Sequence, residues 1–334
     1  MNLTKVRPDK VILLVGGPRS GTTWLAKIFD SHPDVLYRHE PDTVLRDIEF
    51  QRAFSLKEVP AHIAAARQYL ERLLTLRDLK CVGSLPSFPK SYFSAPVYQI
   101  RHGLIFLLRA IEQAGLAVGL KARIPAPDMI PAAQIDRVRV TMKSNASRMR
   151  IRLFAEALPG CKVVLILRDP FGHAASMRRG VELGKFEGDV SLDECLATDE
   201  AQRYGLTREK FLAMTHMQQH AWHWVILNEK AVNDLKGVPG AMVLLYRDLC
   251  LDPVKATTEM FAFADLPWNA QTQSFIKQST SAPSFDRYYQ VQKESLESLN
   301  KWRTQLGETE QKEVRDIFRT TDLWALFPEF HHEA

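Results

Sequence analysis

The chain has 334 residues, 46% of them hydrophobic and 25% charged, so apolar side chains suffice for one large domain or two small ones. Sixteen glycines and eighteen prolines are ordinary usage and exclude collagen-like and low-complexity classes. Net charge is +5, but Lys121 to Gly180 carries twelve Lys and Arg against four acids, a field that suits nucleic acid, a small polyanion or merely a solvated helix face.

No apolar stretch precedes Asp9 and Lys10, so no secretory signal is expected. Val11-Ile12-Leu13-Leu14-Val15 then reads as a fully buried parallel strand. It runs into Gly16-Gly17-Pro18-Arg19-Ser20-Gly21-Thr22-Thr23, after which Trp24, Leu25, Ile28 and Phe29 are spaced as the buried face of a helix ending near Asp30 to Pro33. Residues 54–133 and 181–215 show helical patterns with weak strand signals and read as insertions. The most apolar part of the first, Leu104 to Leu120, is interrupted by Arg109, Glu112 and Gln113, which excludes a membrane span there.

From Asn145 to Leu158, Met149, Leu153, Phe154, Ala157 and Leu158 recur at helical spacing, and Pro159-Gly160 closes the segment. Lys162 to Leu167 is a second buried strand, left through Arg168-Asp169-Pro170 toward a helix from about Gly172. A helix with Trp222, Val225, Ile226 and Leu227 precedes a third strand, Met242 to Tyr246, and Asp252-Pro253 opens a helix through Phe261. Trp222 and Trp224 are expected in the core. Strands separated by helices predict an α/β domain with a central parallel sheet flanked by helices in three layers, 1–334 forming a single domain. Cys81, Cys161, Cys195 and Cys250 lie far apart with no CxxC pair, so neither a disulfide framework nor a zinc site is expected and a cytoplasmic location is the default.

Gly16-x-x-x-x-Gly21-Thr22-Thr23 has the frame of a nucleotide P-loop with Thr22 where the lysine would stand. Glycines still permit positive φ and close approach, and backbone N–H groups at a helix N-terminus still surround an anion. The missing lysine argues against ATP or GTP hydrolysis, and Arg19 could supply the charge instead. A P-loop small-molecule kinase is the alternative reading, weakened by Thr22 and by the lack of a strand ending in a Walker-B Asp.

Pro18-Arg19-Ser20-Gly21-Thr22-Thr23-Trp24 resembles the loop of sulfotransferases that use 3′-phosphoadenosine 5′-phosphosulfate (PAPS), and the resemblance extends to an Arg at a strand end with a Ser eight residues on, Arg168 and Ser176. Tyr246-Arg247-Asp248-Leu249, expected as a strand end, and Lys301-Trp302-Arg303 also resemble family segments, with Arg247 where the family carries Glu. The resemblance covers roughly residues 10–50, 140–180 and 220–310. It implies a P-loop-type fold and binding of the 5′-phosphosulfate by Gly17, Pro18, Arg19, Ser20, Gly21, Thr22, Thr23 and Trp24, the Thr22 and Thr23 hydroxyls completing the cradle. It also implies that Arg168 and Ser176 bind the 3′-phosphate, with product 3′-phosphoadenosine 5′-phosphate (PAP) and no metal. An Arg with a hydroxyl donor at a strand C-terminus independently suits a dianionic phosphate. An ion pair of Arg168 with Asp169 is the plainer alternative.

Where cytosolic members carry Lys-Thr-His, this chain has Lys143-Ser144-Asn145, and Asn cannot be a base. Tyr37-Arg38-His39-Glu40-Pro41 places Glu40 where the tyrosylprotein type has its glutamate, so Glu40 is the expected general base, His39 the second candidate, and Lys143 the stabiliser of the leaving oxygen. Ser281, Arg287 and Lys293 could fold over the nucleotide or serve as surface or acceptor-site residues. Phe88, Tyr92, Phe93 and Tyr98 are candidates to line a pocket for a small-molecule, carbohydrate or peptide acceptor. Without a helix-turn-helix cue or an aromatic RNA-binding motif, no nucleic-acid partner is expected. Oligomeric state is left open.

Overall fold

Val11 to Gly16 is wholly buried and forms the centre of a sheet. The computed structural model describes residues 6–45, 53–117, 124–182, 192–281 and 295–331. Among these, β1 (Val11–Gly16), β2 (Val35–His39), β3 (Arg139–Ser144), β4 (Lys162–Leu167) and β5 (Ala241–Leu245) pair in parallel in the order β2-β3-β1-β4-β5. Leu14 lies between Lys143 and Val164, and His39 pairs with Lys143, so the C-terminal ends of β1, β2 and β3 converge.

The helices follow in chain order. In the first half they are α1 (Thr22–Asp30), α2 (Pro41–Val44), α3 (Val59–Leu74), α4 (Leu79–Val82), α5 (Ala95–Ala117), α6 (Ile151–Ala157) and α7 (Pro170–Glu182). Next come α8 (Leu192–Leu196), α9 (Asp199–Arg203), α10 (Arg208–Leu212) and α11 (His216–Leu235). The last are α12 (Tyr246–Leu251), α13 (Pro253–Phe263), α14 (Ala270–Ser281), α15 (Ser295–Asn300), α16 (Trp302–Gln305) and α17 (Glu308–Phe318). No helix among the described residues is long and apolar enough to cross a membrane.

Alternation along the strands makes the three layers, since successive side chains point to opposite faces. Val11, Leu13, Val15, Val163 and Leu165 join a core with α3, α6, α7, α11 and α17. Ile12, Leu14, Val164 and Ile166 join another with α1, α13 and α14. Trp224 is buried and Trp222 packs partly exposed against the same core, in line with the core expectation.

β1 and β4 lie where the apolar runs predict, and β5 begins one residue earlier. β2 and β3 carry no such signal because their interiors hold polar side chains: Arg38, Thr141 and Lys143 are all buried. The segment expected as one helix from Asn145 to Leu158 opens instead as a turn and a short 3-10 stretch, Arg148–Arg150, before α6. Tyr246 to Leu249, expected as a strand end, lies within the helix α12. Part of the basic stretch is interior: Lys143, Arg148 and Arg150 are buried, which removes them from any solvated helix face. The four cysteines are free and buried.

Arg38 fastens the edge strand β2 to the segment after α5. Its Nε donates to the Leu74 carbonyl at 3.0 Å, and its Nη2 meets Asp128 Oδ2 at 2.8 Å, both side chains fully buried. Asp128→Ala leaves that guanidinium uncompensated, so chemical denaturation is expected to show a loss of about 3–5 kcal/mol. A loss under about 1 kcal/mol contradicts this role.

Candidate active site

The turn between β1 and α1 is built on two left-handed residues, Arg19 at φ 66° and Gly21 at φ 87°. Ser20 N–H closes it onto the Gly17 carbonyl at 3.1 Å. A Cβ on Gly21 would lie 2.4 Å from the Tyr246 ring, and one on Gly17 would lie 3.0 Å from Arg148 Nη1. The backbone therefore approaches its neighbours as closely as only glycine permits, at the N-terminus of a helix where N–H groups and dipole favour an anion.

Arg168 leaves the end of β4 and lies against this turn. Its Nη1 donates to the Arg19 carbonyl at 3.0 Å and its Nη2 to the Ser298 carbonyl at 3.2 Å, with the guanidinium 5.0 Å over the Tyr246 ring. Its Nε is buried without a hydrogen-bond partner among the described residues, and a Cβ on Gly172 at the start of α7 would lie 2.8 Å from it; an open donor of this kind fits an anionic ligand. Asp169, the partner of Arg168 in the alternative ion-pair reading, takes the Gly172 N–H at 2.6 Å near the start of α7. Arg19 Nε donates to Ser176 Oγ at 2.8 Å, so Arg19, Arg168 and Ser176 meet although 157 residues separate the first from the last.

The second half of the site lies at the exits of β2 and β3. Glu40 stands directly after β2 in the left-handed region, φ 43°, a strain of about 1 kcal/mol or more for a non-glycine residue. Its N–H continues the ladder to the Lys143 carbonyl at 3.0 Å. Lys143, almost fully buried, donates its Nζ to Glu40 Oε1, and Asn145 Nδ2 donates to the same oxygen at 2.7 Å. Behind them Asp42 Oδ2 accepts from Ser144 Oγ and from Ser147 Oγ at 2.9 Å, with Arg150 Nη2 at 3.7 Å, so the turn carrying Asn145 is anchored from below.

Burial alone would raise the Glu40 carboxyl, but the Lys143 ammonium beside it brings it below the usual carboxylate range. Burial, and then the Lys143 charge, lowers the His39 imidazole to about 4, and its Nδ1 is engaged with Tyr37 Oη at 2.8 Å. Near neutrality the pair is an ionised carboxylate beside an uncharged imidazole.

The remaining predicted residues divide. Thr22 Oγ1 donates to Asn145 Oδ1 at 2.9 Å, so its proton is committed to a side chain; Thr23 is exposed, and Trp24 Nε1 donates to Ser279 Oγ of α14 at 3.1 Å. Tyr92 is buried with its hydroxyl on the Val35 carbonyl at 3.2 Å, while Phe88, edge-on against Phe275, and Phe93, against the core, are half-buried. Tyr98 stacks on His102. Ser281 ends α14, and Arg287 and Lys293 lie outside the described residues. Trp302 is buried against Phe171 with Arg303 over its ring, and Arg247 pairs with Glu329. Among the described residues no three His, Cys, Asp or Glu side chains gather as metal ligands. Asn145, Asp42 and Ser147 are the site members that sequence reasoning missed.

Carbohydrate sulfotransferase 3 of Homo sapiens is 25% identical over 326 residues, 89% of this chain and 62% of that protein. Its Mus musculus counterpart is 29% identical over 150 residues, 42% of this chain and 28% of that one. The chain thus spans less than two thirds of the length of these relatives. Solved structures with a partial likeness include the sulfotransferase domain from the curacin biosynthetic pathway, 14% identical with a TM-score of 0.45, covering 92% of this chain and 96% of that one. Mouse sulfotransferase SULT7A1 complexed with PAP is another, 13% identical with a TM-score of 0.44, covering 98% and 90%. The family model described as Sulfotransferase family matches residues 11–270, a span that holds the β1–α1 loop, Glu40, Lys143, Arg168 and Ser176. With most of its length and both halves of its site inside that match, the chain belongs to the sulfotransferase family.

Proposed function

We propose that the protein transfers a sulfuryl group from PAPS to a hydroxyl-bearing acceptor, with Glu40 as general base. The observation that carries this reading is the junction of the anion cradle with an ionised carboxylate through Asn145, with Lys143 on the same carboxylate, at the C-terminal edge of the sheet.

The bound nucleotide would supply the sulfuryl group and a phosphate leaving group. The β1–α1 loop, from Gly17 to Thr23, would hold the 5′-phosphosulfate through backbone N–H groups. Arg168 and Ser176 would take the 3′-phosphate. Arg19, joined to Ser176, would bridge the two ends. Glu40 would take the acceptor O–H proton as the new S–O bond forms. Lys143 would donate to the bridging oxygen that keeps the electron pair of the broken bond, so positioning and charge neutralisation do most of the work.

The relatives named carbohydrate sulfotransferase 3 favour a saccharide hydroxyl over a phenol or a tyrosyl peptide as acceptor. The test is a panel of these three acceptor classes with ³⁵S-labelled PAPS. Transfer to the saccharide is expected; no transfer to any of them, together with phosphoryl transfer from ATP, would overturn the proposal.

A pH prediction accompanies it. Protonation of Glu40 removes the base, so activity falls as pH drops. In the free enzyme the Lys143 charge keeps the carboxyl below its usual range, and on the proposed mechanism Lys143 would turn toward the donor during turnover. The acid limb of kcat is therefore expected at higher pH than that of kcat/KM, and coincident limbs would contradict it.

A further inference from the structure

We infer that Asn145 is a positioning residue that ties the donor loop to the base: its carboxamide spans Thr22 of the loop and Glu40, accepting from one at 2.9 Å and donating to the other at 2.7 Å. This rests on the proposed role of Glu40 and adds to it.

The orientation of the amide follows from its partners. A carboxylate oxygen can only accept, so the atom facing Glu40 is Nδ2, which leaves Oδ1 to receive the Thr22 hydroxyl proton. Both polar atoms of Asn145 are thus committed, and one side chain links α1, the exit of β3 and the residue after β2. The turn carrying it is held by Ser144 and Ser147 on the buried Asp42.

Lys143 and Asn145 both donate to Oε1 of Glu40. Oε2 takes neither bond and is the atom left to face the acceptor. The two donors differ in what they can do during the reaction. Lys143 carries the charge that holds the carboxyl down, and when it turns to the leaving oxygen the carboxylate becomes more basic. Asn145 is neutral and stays bound to the loop, so it holds the carboxylate in register after Lys143 has turned away. In the transfer the acceptor oxygen bonds to sulfur, its proton passes to Glu40 Oε2, and the bond from sulfur to the bridging phosphate oxygen breaks with its electron pair on that oxygen. Asparagine, which cannot be the base, here aims one.

The test compares Asn145→Ala and Asn145→Asp with the parent protein. The Asp variant is isosteric: it keeps the acceptor for Thr22 and puts a second carboxylate oxygen where the donor to Glu40 stood. The Glu40 carboxyl is followed by ¹³C NMR titration, its signal identified by its loss in Glu40→Gln. Loss of the Asn145 donor is expected to raise that titration by about one pH unit, further in the Asp variant, where a second carboxylate adjoins the first. PAP affinity should stay within about threefold in the Ala variant. With the acceptor found in the labelled-PAPS panel, kcat should fall about ten- to a hundredfold, and Glu40→Gln with Asn145→Ala should be no slower than Glu40→Gln alone. An unmoved titration in both variants, or losses that add in the double variant, would overturn the inference. The titration needs no acceptor: a moved titration with full activity in Glu40→Gln would sink the base assignment and leave the Asn145 contact standing.

Discussion

Glu40→Gln is expected to lower kcat by about 10²–10⁴-fold while PAP affinity stays within a few-fold. The glutamine carbonyl can still accept from Lys143 and Asn145, which both meet Oε1, so the substitution keeps the shape of the site while it removes the ability to take a proton and the charge opposite Lys143. Single-turnover kinetics with labelled PAPS, read beside calorimetric PAP binding, separates the two effects. Retained turnover would move the base to His39, the second candidate. That outcome goes against the electrostatics: burial and the Lys143 charge lower His39 to about 4, and a ring so placed is a weak proton acceptor whose Nδ1 is already engaged with Tyr37.

Arg168→Ala is expected to weaken PAP binding about 10- to 100-fold, the worth of one or two charge-assisted hydrogen bonds, while adenosine 5′-phosphate binding changes little. The comparison between the ligands matters because Arg168 also donates to the Arg19 and Ser298 carbonyls, and its removal loosens the loop itself. A loosened loop weakens both ligands alike, whereas a lost 3′-phosphate contact weakens only PAP. Equal losses, measured by calorimetry, would reassign Arg168 to scaffolding.

How much of this was legible in the sequence depended on where the polar side chains went. β1 and β4 are uninterrupted aliphatic runs and read directly, and so did the glycine frame that follows β1. β2 and β3 did not, because they bury Arg38, Thr141 and Lys143, and a buried charge looks like a surface residue until its partner is known. Asp128, the partner of Arg38, lies 90 residues away. Arg19, Arg168 and Ser176 were each pointed to by short segments that resemble the family, and their mutual contacts are a product of the sheet order. Asn145 shows the other limit. Its inability to act as a base was evident from its chemistry, but its bonds to Thr22 and Glu40 cross 123 and 105 residues and follow no sequence rule. The aromatic residues show a related limit: ring content alone does not separate a ligand platform from packing, and of the candidates Tyr92 is buried in the core while Phe88 and Phe93 are half-buried.

On the proposed function, the cradle at the β1–α1 loop, with Arg168 and Ser176, takes a 3′-phosphorylated adenosine nucleotide. Calorimetric titration of the protein with PAP, adenosine 5′-phosphate and ATP tests it most directly. PAP is expected to bind at least tenfold more tightly than either of the others; ATP binding as tight as PAP, with no preference for the 3′-phosphate, would contradict the account.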